Sequence, residues 1–355
     1  MDSLTQFALG ATVSALCLGK TLGARKAAVL GGLLGTLPDL DVFIPFDNPV
    51  DSFVLHRGWT HSLIVHALVT PILGELFVQS IRTLKNHRFL VWWTVFLCLS
   101  THALIDAMTV YGTRLLWPIY PDPVGMGSIF IIDPLYTLPL IAASILALAH
   151  RSWSPRLGNW LSTALLVSSA YMGIGVVLQT NAEARAKTIF ANAGIETDRV
   201  FAIASPFNTL LWKVIGLQDD RYHNLYISLF DDDLDAIIYT HLRHPELVAC
   251  LGGNGALKKL RWFSKGYYRA EQDGDTIVIS DLRMGLTPNY AFRFAIAERA
   301  GKTVRDTTPT VASDQPRASE GDLEWLVDRI LGRPAIRMAE TIDPQILRQT
   351  SRSAC

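Results

Sequence analysis

"FLVWWTVFLCLSTHALIDAM", residues 89–108, runs without a lysine, arginine or glutamate for 20 residues. That length lets a helix cross the hydrocarbon core of a bilayer. Its last turns nevertheless carry His102 and Asp106, which at i and i+4 share one helical face. An aspartate inside a span costs about 2.5 to 3.5 kcal/mol on insertion scales unless something pairs with it. A divalent cation gripped by both side chains would be such a partner.

Working outward, residues 62–81, 128–149 and 160–179 have similar length and composition, so four spans are expected. Residues 4–18 and 24–37 are shorter apolar pieces separated by the basic turn "GKTLGARK" and read as a helical hairpin. The opening "MDSLTQ" has no Arg or Lys before the first apolar stretch, unlike a cleavable signal peptide, so the N-terminus is expected to be retained. Half of the 355 residues are hydrophobic, 18% are charged, and the net charge is zero. The basic residues form no continuous patch, which sets nucleic acid aside as a partner. Cys17 and Cys98 lie in apolar segments, whereas Cys250 and Cys355 stand alone without a CxxC spacing.

The fold class expected is an α-helical membrane domain, a multi-span helical bundle over residues 1–179, followed by a small soluble α+β domain over residues 180–355. "NAEARAKTIFANAG" reads as an amphipathic helix opening the second part. "RVFAIASP", "NLYISLF", "YYRAEQDGDTIVISDLR" and "AFRFAIAE" read as strands, with Asp273-Gly274 at a hairpin turn. Helices are expected near Pro245 to Cys250 and Gly321 to Leu331. The polar stretch near 300–320, rich in Thr, Ser and Pro, reads as a mobile loop.

Short loops rich in Lys and Arg tend to stay cytoplasmic. Lys20, Arg25 and Lys26, then Arg82, Lys85 and Arg88, then Arg151 and Arg156 mark three such loops. In a bacterial inner or cytoplasmic membrane, alternation then puts residues 39–61, residues 111–127 and the soluble domain on the non-cytoplasmic side. That same side collects Asp39 and Asp41 of "LPDLDVF", His56 and His61 of "HRGWTHS", and His102 with Asp106. Arg57 and Arg114 lie where bidentate recognition of a phosphate is useful.

His and Asp donors suit zinc, and also manganese or iron; zinc is preferred here. The corresponding chemistry is hydrolytic, with the metal activating water and a spare carboxylate such as Asp41 taking the proton. Each element also has a plainer reading. HxxxD recurs by chance on helices, "PDLD" suits a turn, and Thr60 or Ser62 suits a helix cap. His66 fits a hydrogen-bonded packing role, and Trp92, Trp93, Trp117, Trp153 and Trp160 fit interfacial anchors. HExxH is absent, which disfavours a metalloprotease.

"MDSLTQFALGA", "GTLPDLD", "HRGWTHS", "HALIDAMTVYGTRLLWP" and "IIDPLYTLPL" follow one another over roughly the first 140 residues. As an ordered set they resemble the YdjM/YfhP family of membrane-bound, metal-dependent hydrolases, and "SPFNTLLWKV" and "ISDLRMG" resemble its longer members. The layout is more distantly similar to zinc-dependent phospholipase C and the zinc nucleases. That likeness implies an early Asp (Asp39 or Asp41), a His (His56 or His61) and the pair His102 and Asp106 on one ion, with phosphoester cleavage, of a lipid among other substrates. Where such families carry an N-terminal His, this chain has Gln6, a poor zinc ligand, so one metal position is expected. Asp133 matches a recurrent family position and equally suits a helix cap. The alternative function is a non-catalytic membrane scaffold or regulatory protein whose metal pins helices while the soluble domain engages a protein partner.

Overall fold

Asp2 accepts a hydrogen bond from the Thr5 N–H and caps helix α1 (Ser3–Leu22). Gly23, at φ 86°, reverses the chain into α2 (Ala24–Thr36). The two helices approach backbone to backbone: a Cβ on Gly10 would lie 2.2 Å from the Gly31 carbonyl oxygen, and one on Gly35 would lie 2.6 Å from that of Gln6. Small residues permit this closeness, as they do between helices in lipid.

The computed structural model describes residues 1–232, 236–301, 303–312, 316 and 318–341. The chain divides into two units, one of Met1–Ile44, Arg57–Val177 and Pro206–Asn208, the other of Pro45–His56, Leu178–Ser205 and Thr209–Cys355. After the short α3 (Pro49–Leu55), which folds with the second unit, come α4 (Leu63–Ser80), α5 (Arg88–Met108), α6 (Pro134–Ala149) and α7 (Pro155–Asn192). Among the described residues three helices are long and apolar enough to cross a membrane: α4, α5 and α7.

The fourth expected span is a shorter apolar helix. Asp133 accepts from the Leu135 and Tyr136 N–H groups and Pro134 occupies the first helical position, so α6 starts six residues later than its apolar run and is 16 residues long. The Asp133 side chain also receives the Tyr171 hydroxyl of α7 at 2.9 Å. Ser168 donates to the Tyr136 carbonyl at 2.8 Å, and Thr5 and Thr137 share a hydrogen bond of 2.8 Å. Such bonds between helices satisfy polar groups that lipid cannot. Arg25 ties the α1–α2 turn to the end of α6 through the carbonyls of Leu148 (2.6 Å) and Ala149 (3.0 Å). The expected span at 160–179 and the amphipathic segment after it are one continuous helix of 38 residues.

In the second unit β1 (Arg199–Ala204), β2 (Leu211–Leu217), β3 (Arg221–Ser228) and β4 (Ile238–Leu242) form an antiparallel sheet in that order. Helices α8 (Pro245–Ala249) and α9 (Gly255–Phe263) follow, then β5 (Tyr268–Asp273) and β6 (Thr276–Asp281), joined at Gly274 with φ 58°. After the β7 (Gly285–Leu286) and β8 (Asn289–Tyr290) ribbon, β9 (Arg293–Ala300) and β10 (Thr303–Val311) complete a second sheet, ordered β10-β9-β6-β5. Helices α10 (Asp322–Ile330) and α11 (Met338–Thr341) end the described chain.

Strand β10 corrects the expectation of a mobile loop near 300–320. Its Thr and Val residues are β-branched and favour extended chain, while its place at the sheet edge tolerates polar side chains and Pro309. Residues 302, 313–315 and 317 of that expected loop, and Cys355, lie outside the described residues. Segment 45–56 is held in the second unit by Phe53, whose ring packs 4.8 Å from Phe263, 4.4 Å from Phe292 and 5.2 Å from Phe294, and by an Asp51–Lys259 ion pair. Buried Glu340 accepts from His241 at 2.7 Å, from Asn224 at 3.0 Å and from the Tyr226 hydroxyl, clipping α11 to β3 and β4.

Replacing Gly10 by Val should lower the melting temperature of detergent-purified protein by several degrees, because Gly31 and Gly35 leave a side chain no room. Gly173→Ala, where nothing lies within 4 Å, should leave melting unchanged or raise it.

Candidate metal centre

Pro38 ends α2 and opens a 3-10 turn, Pro38–Phe43, that carries Asp39. A second 3-10 turn, Trp59–His61, carries His61, capped on its far side by Ser62, which receives the Ile64 and Val65 N–H groups at the start of α4. His102 and Asp106 sit one turn apart near the end of α5. All four belong to the first unit. Among the described residues their donor atoms form a cluster within 4.8 Å of one another that could hold a metal ion.

The two His Nε2 atoms are 3.0 Å apart. Asp39 Oδ1 is 3.4 Å from each, and Asp106 Oδ2 is 3.3 Å from His61 and 3.6 Å from His102. A tetrahedron of nitrogen and oxygen donors about 2.0 to 2.1 Å from zinc has edges near 3.3 to 3.4 Å. The side chains therefore fit a small divalent ion.

The opposite ring nitrogens are already engaged. His102 Nδ1 lies 2.6 Å from the Gly35 carbonyl, which can only accept, so the proton of the neutral ring resides on Nδ1 and the Nε2 lone pair faces the cluster. His61 Nδ1 lies 3.0 Å from the Thr60 hydroxyl, which donates to Asp41 Oδ2 at 2.7 Å, so His61 Nδ1 is again the donor. Two neutral imidazoles held this way point lone pairs at each other, an arrangement that demands a cation or a proton between them. Burial pushes the His61 imidazole down, but the Asp106 and Asp39 carboxylates outweigh it and hold the pKa above its ordinary value. Where a proton rather than an ion lies on the cluster side of the rings, burial still opposes ionisation of Asp39, but hydrogen bonds from His102 and His61 outweigh it and hold its carboxyl below the carboxylate range.

The remaining residues singled out in the sequence divide. Asp41 stands one layer behind the donors: besides Thr60, it receives the Arg57 N–H at 3.0 Å, so its carboxylate orients His61 rather than joining the four. Arg57 is buried against the cluster, with Nε 3.2 Å from Asp106 Oδ2, a contact from Nη1 to the Thr109 hydroxyl at 3.3 Å, and its guanidinium over the Tyr111 ring. Its φ of 58° reverses the chain as it enters the first unit. His56 closes segment 45–56, which folds with the second unit, and is not among the four clustered donors. Arg114 is half-buried, and its N–H donates to the Arg57 carbonyl at 3.1 Å, which sets the two arginine backbones side by side.

Sequence reasoning missed three supports. The Gly35 carbonyl is among the last of α2, which no intrahelical N–H can satisfy, and that was the available signal. Thr60, which the sequence suits to a helix cap, instead links His61 to Asp41, and Ser62 is the cap. Gln6, read as a poor ligand, donates to Asp106 Oδ1 at 3.0 Å and orients it; the Met1 amino group pairs with the same oxygen. His66 accompanies them by bonding the Thr60 carbonyl at 2.8 Å.

Residues 1–182 match the YdjM inner membrane protein family. The chain belongs to that family. It is also 24% identical over 181 residues to YfhP of Bacillus subtilis (strain 168), described as uncharacterized; the match covers 48% of this chain and 53% of YfhP, so it spans about half the length of that relative. No solved structure matches. The matched region holds every residue of the YdjM-family chain's donor cluster, and three apolar helices agree with a membrane protein.

His102→Ala should bring metal in the purified protein close to zero by elemental analysis, while His56→Ala should leave it unchanged. Thr60→Val keeps all four donors and should weaken binding roughly 10- to 100-fold in a chelator competition, the usual cost of losing an outer-shell partner.

Proposed function

We propose that the chain is an integral membrane metal-dependent hydrolase that cleaves a phosphoester, with a membrane lipid as the favoured substrate. One observation carries the reading: two imidazoles and two carboxylates converge with five of their six edges between 3.0 and 3.6 Å, and three of the four are almost wholly buried while Asp39 keeps 20% side-chain exposure. The cluster is thus approachable from the Asp39 side. Asp39, His61, His102 and Asp106 would hold the ion, and zinc suits the donor set best. Bound there, the metal supplies Lewis acidity that makes water nucleophilic near neutral pH and polarises the group under attack.

The chain's own residues supply the rest. Gly35, Thr60 and Asp41 fix the ring orientations, and Arg57 and Gln6 fix the Asp106 carboxylate. Arg57 and Arg114 add positive charge suited to an anionic ester. In the overall reaction the water oxygen joins phosphorus, the ester P–O bond breaks, and the proton lost by water ends on the departing alcohol. Asp39, the most accessible carboxylate of the cluster, is the group best placed to pass that proton.

A scaffold with a structural ion is the second reading, favoured by one feature: four protein donors are the number that closes a structural zinc site. Incubating metal-loaded protein with phosphodiester and phospholipid substrates separates the two. Hydrolysis that His102→Ala abolishes and that returns on adding zinc back to stripped wild-type protein is expected; a loaded protein inert toward every substrate would leave the scaffold.

The metal site and the soluble domain are proposed to lie on the non-cytoplasmic side. Support comes from the basic turns at Lys20 to Lys26 and Arg151 to Arg156, which join at the Arg25 contacts with the end of α6, whereas the donors gather where α2 and α5 end and α4 begins. A cysteine placed by Asp122→Cys should react with a membrane-impermeant maleimide added to intact cells; reaction only after lysis would invert the topology.

A further inference from the structure

The two loops that frame the donor cluster expose large apolar side chains. In the turn Pro38–Phe43, Leu40, Val42 and Phe43 are 53%, 66% and 80% exposed; in the loop after α5, Leu116, Ile119 and Tyr120 are 46%, 82% and 50% exposed. These loops belong to one surface of the first unit. The turn carrying Asp39 packs on the turn carrying His61. Ser62, next to His61, donates to the Trp117 carbonyl at 2.6 Å, and Leu63 N–H donates to Leu115 at 2.9 Å.

Leu63 is the first residue of α4 and Met108 the last of α5, both helices long and apolar enough to span. The exposed side chains therefore begin where the lipid-facing surface of two spans ends, and they continue it. A water-soluble surface rarely displays so many adjoining large apolar groups without an interaction partner. Here the neighbouring phase is hydrocarbon, and an amphipathic Tyr at the margin suits the headgroup layer.

We propose that these two loops form a rim embedded in the adjoining leaflet, which sets the donor cluster at headgroup depth and admits the substrate laterally from the bilayer. The occupant of the rim is acyl chain. The substrate class that follows is a bilayer-resident lipid whose ester lies at the headgroup, a statement that rests on the hydrolase reading above; the embedding of the rim does not.

The test keeps the two apart. With the four native cysteines replaced by serine and wild-type melting retained, Phe43→Cys, Ile119→Cys and, as a control at the β5–β6 hairpin, Asp273→Cys are labelled with an environment-sensitive fluorophore. The proteins are then reconstituted in phosphatidylglycerol and phosphatidylethanolamine vesicles. Labels at 43 and 119 should be quenched by lipids spin-labelled high on the acyl chain and protected from an aqueous nickel chelate, with the reverse at 273. Aqueous quenching at 43 and 119 equal to that at 273 would overturn the rim, and so would shielding from both quenchers, which would mean a protein covers it. This readout needs no activity. Where hydrolysis is measurable, Phe43→Ser with Ile119→Ser should cut turnover of vesicle lipid at least tenfold and leave a short-chain soluble ester unaffected; equal loss on both substrates would remove lateral entry.

Discussion

Two imidazole lone pairs aimed at each other across 3.0 Å, with carboxylates on either side, set the terms for the first unit. In a medium where charge is poorly screened, that grouping is unstable unless positive charge occupies its centre. The helices around it bring apolar surface for the bilayer, and the ends of those helices bring the polar atoms that keep the donors aimed inward. Arg57 adds a fixed cation against Asp106, its Nε 3.2 Å from Oδ2, which offsets part of the negative charge the two carboxylates bring.

The aim depends on packing several residues away. Gly10, Gly31 and Gly35 let α1 and α2 touch through their backbones, which fixes the end of α2. An end so fixed leaves unsatisfied carbonyls, and that of Gly35 is taken by His102 at 2.6 Å. A helix terminus thus performs the outer-shell role that carboxylates fill in many metal sites, while Thr60 and Asp41 perform it for His61. A side chain at Gly10 or Gly31 would press on the α1–α2 contact that sets the Gly35 carbonyl, and so act on an imidazole that neither residue touches.

Much of this was legible in the sequence because the signals were local. Uniform apolarity marked α4 and α5, and the i, i+4 spacing put His102 and Asp106 on one face. The choice between Asp39 and Asp41, or His56 and His61, was not legible, since it turns on the reversal at Arg57 and on segment 45–56 joining the second unit through Phe53. The length of α6 was set by a cap, Asp133, against an apolar run that begins earlier. Strand β10 was hidden for another reason: an edge strand can be polar throughout, so composition alone resembled a loop.

Placing such a cluster at the end of a bundle resolves two opposing demands. Metal donors need a dry, rigid surround that holds them in register, which the buried ends of α2 and α5 provide. Hydrolysis needs water, which a site deep in hydrocarbon lacks. The proposed position at the bilayer boundary would offer both, and the cluster itself is unevenly buried: His61, His102 and Asp106 side chains are sealed, whereas Asp39, on a turn with exposed apolar neighbours, keeps 20% of its surface open. On the proposed hydrolase reading, that asymmetry gives water and substrate one approach, from the Asp39 side, to an ion that the other three donors would keep dry.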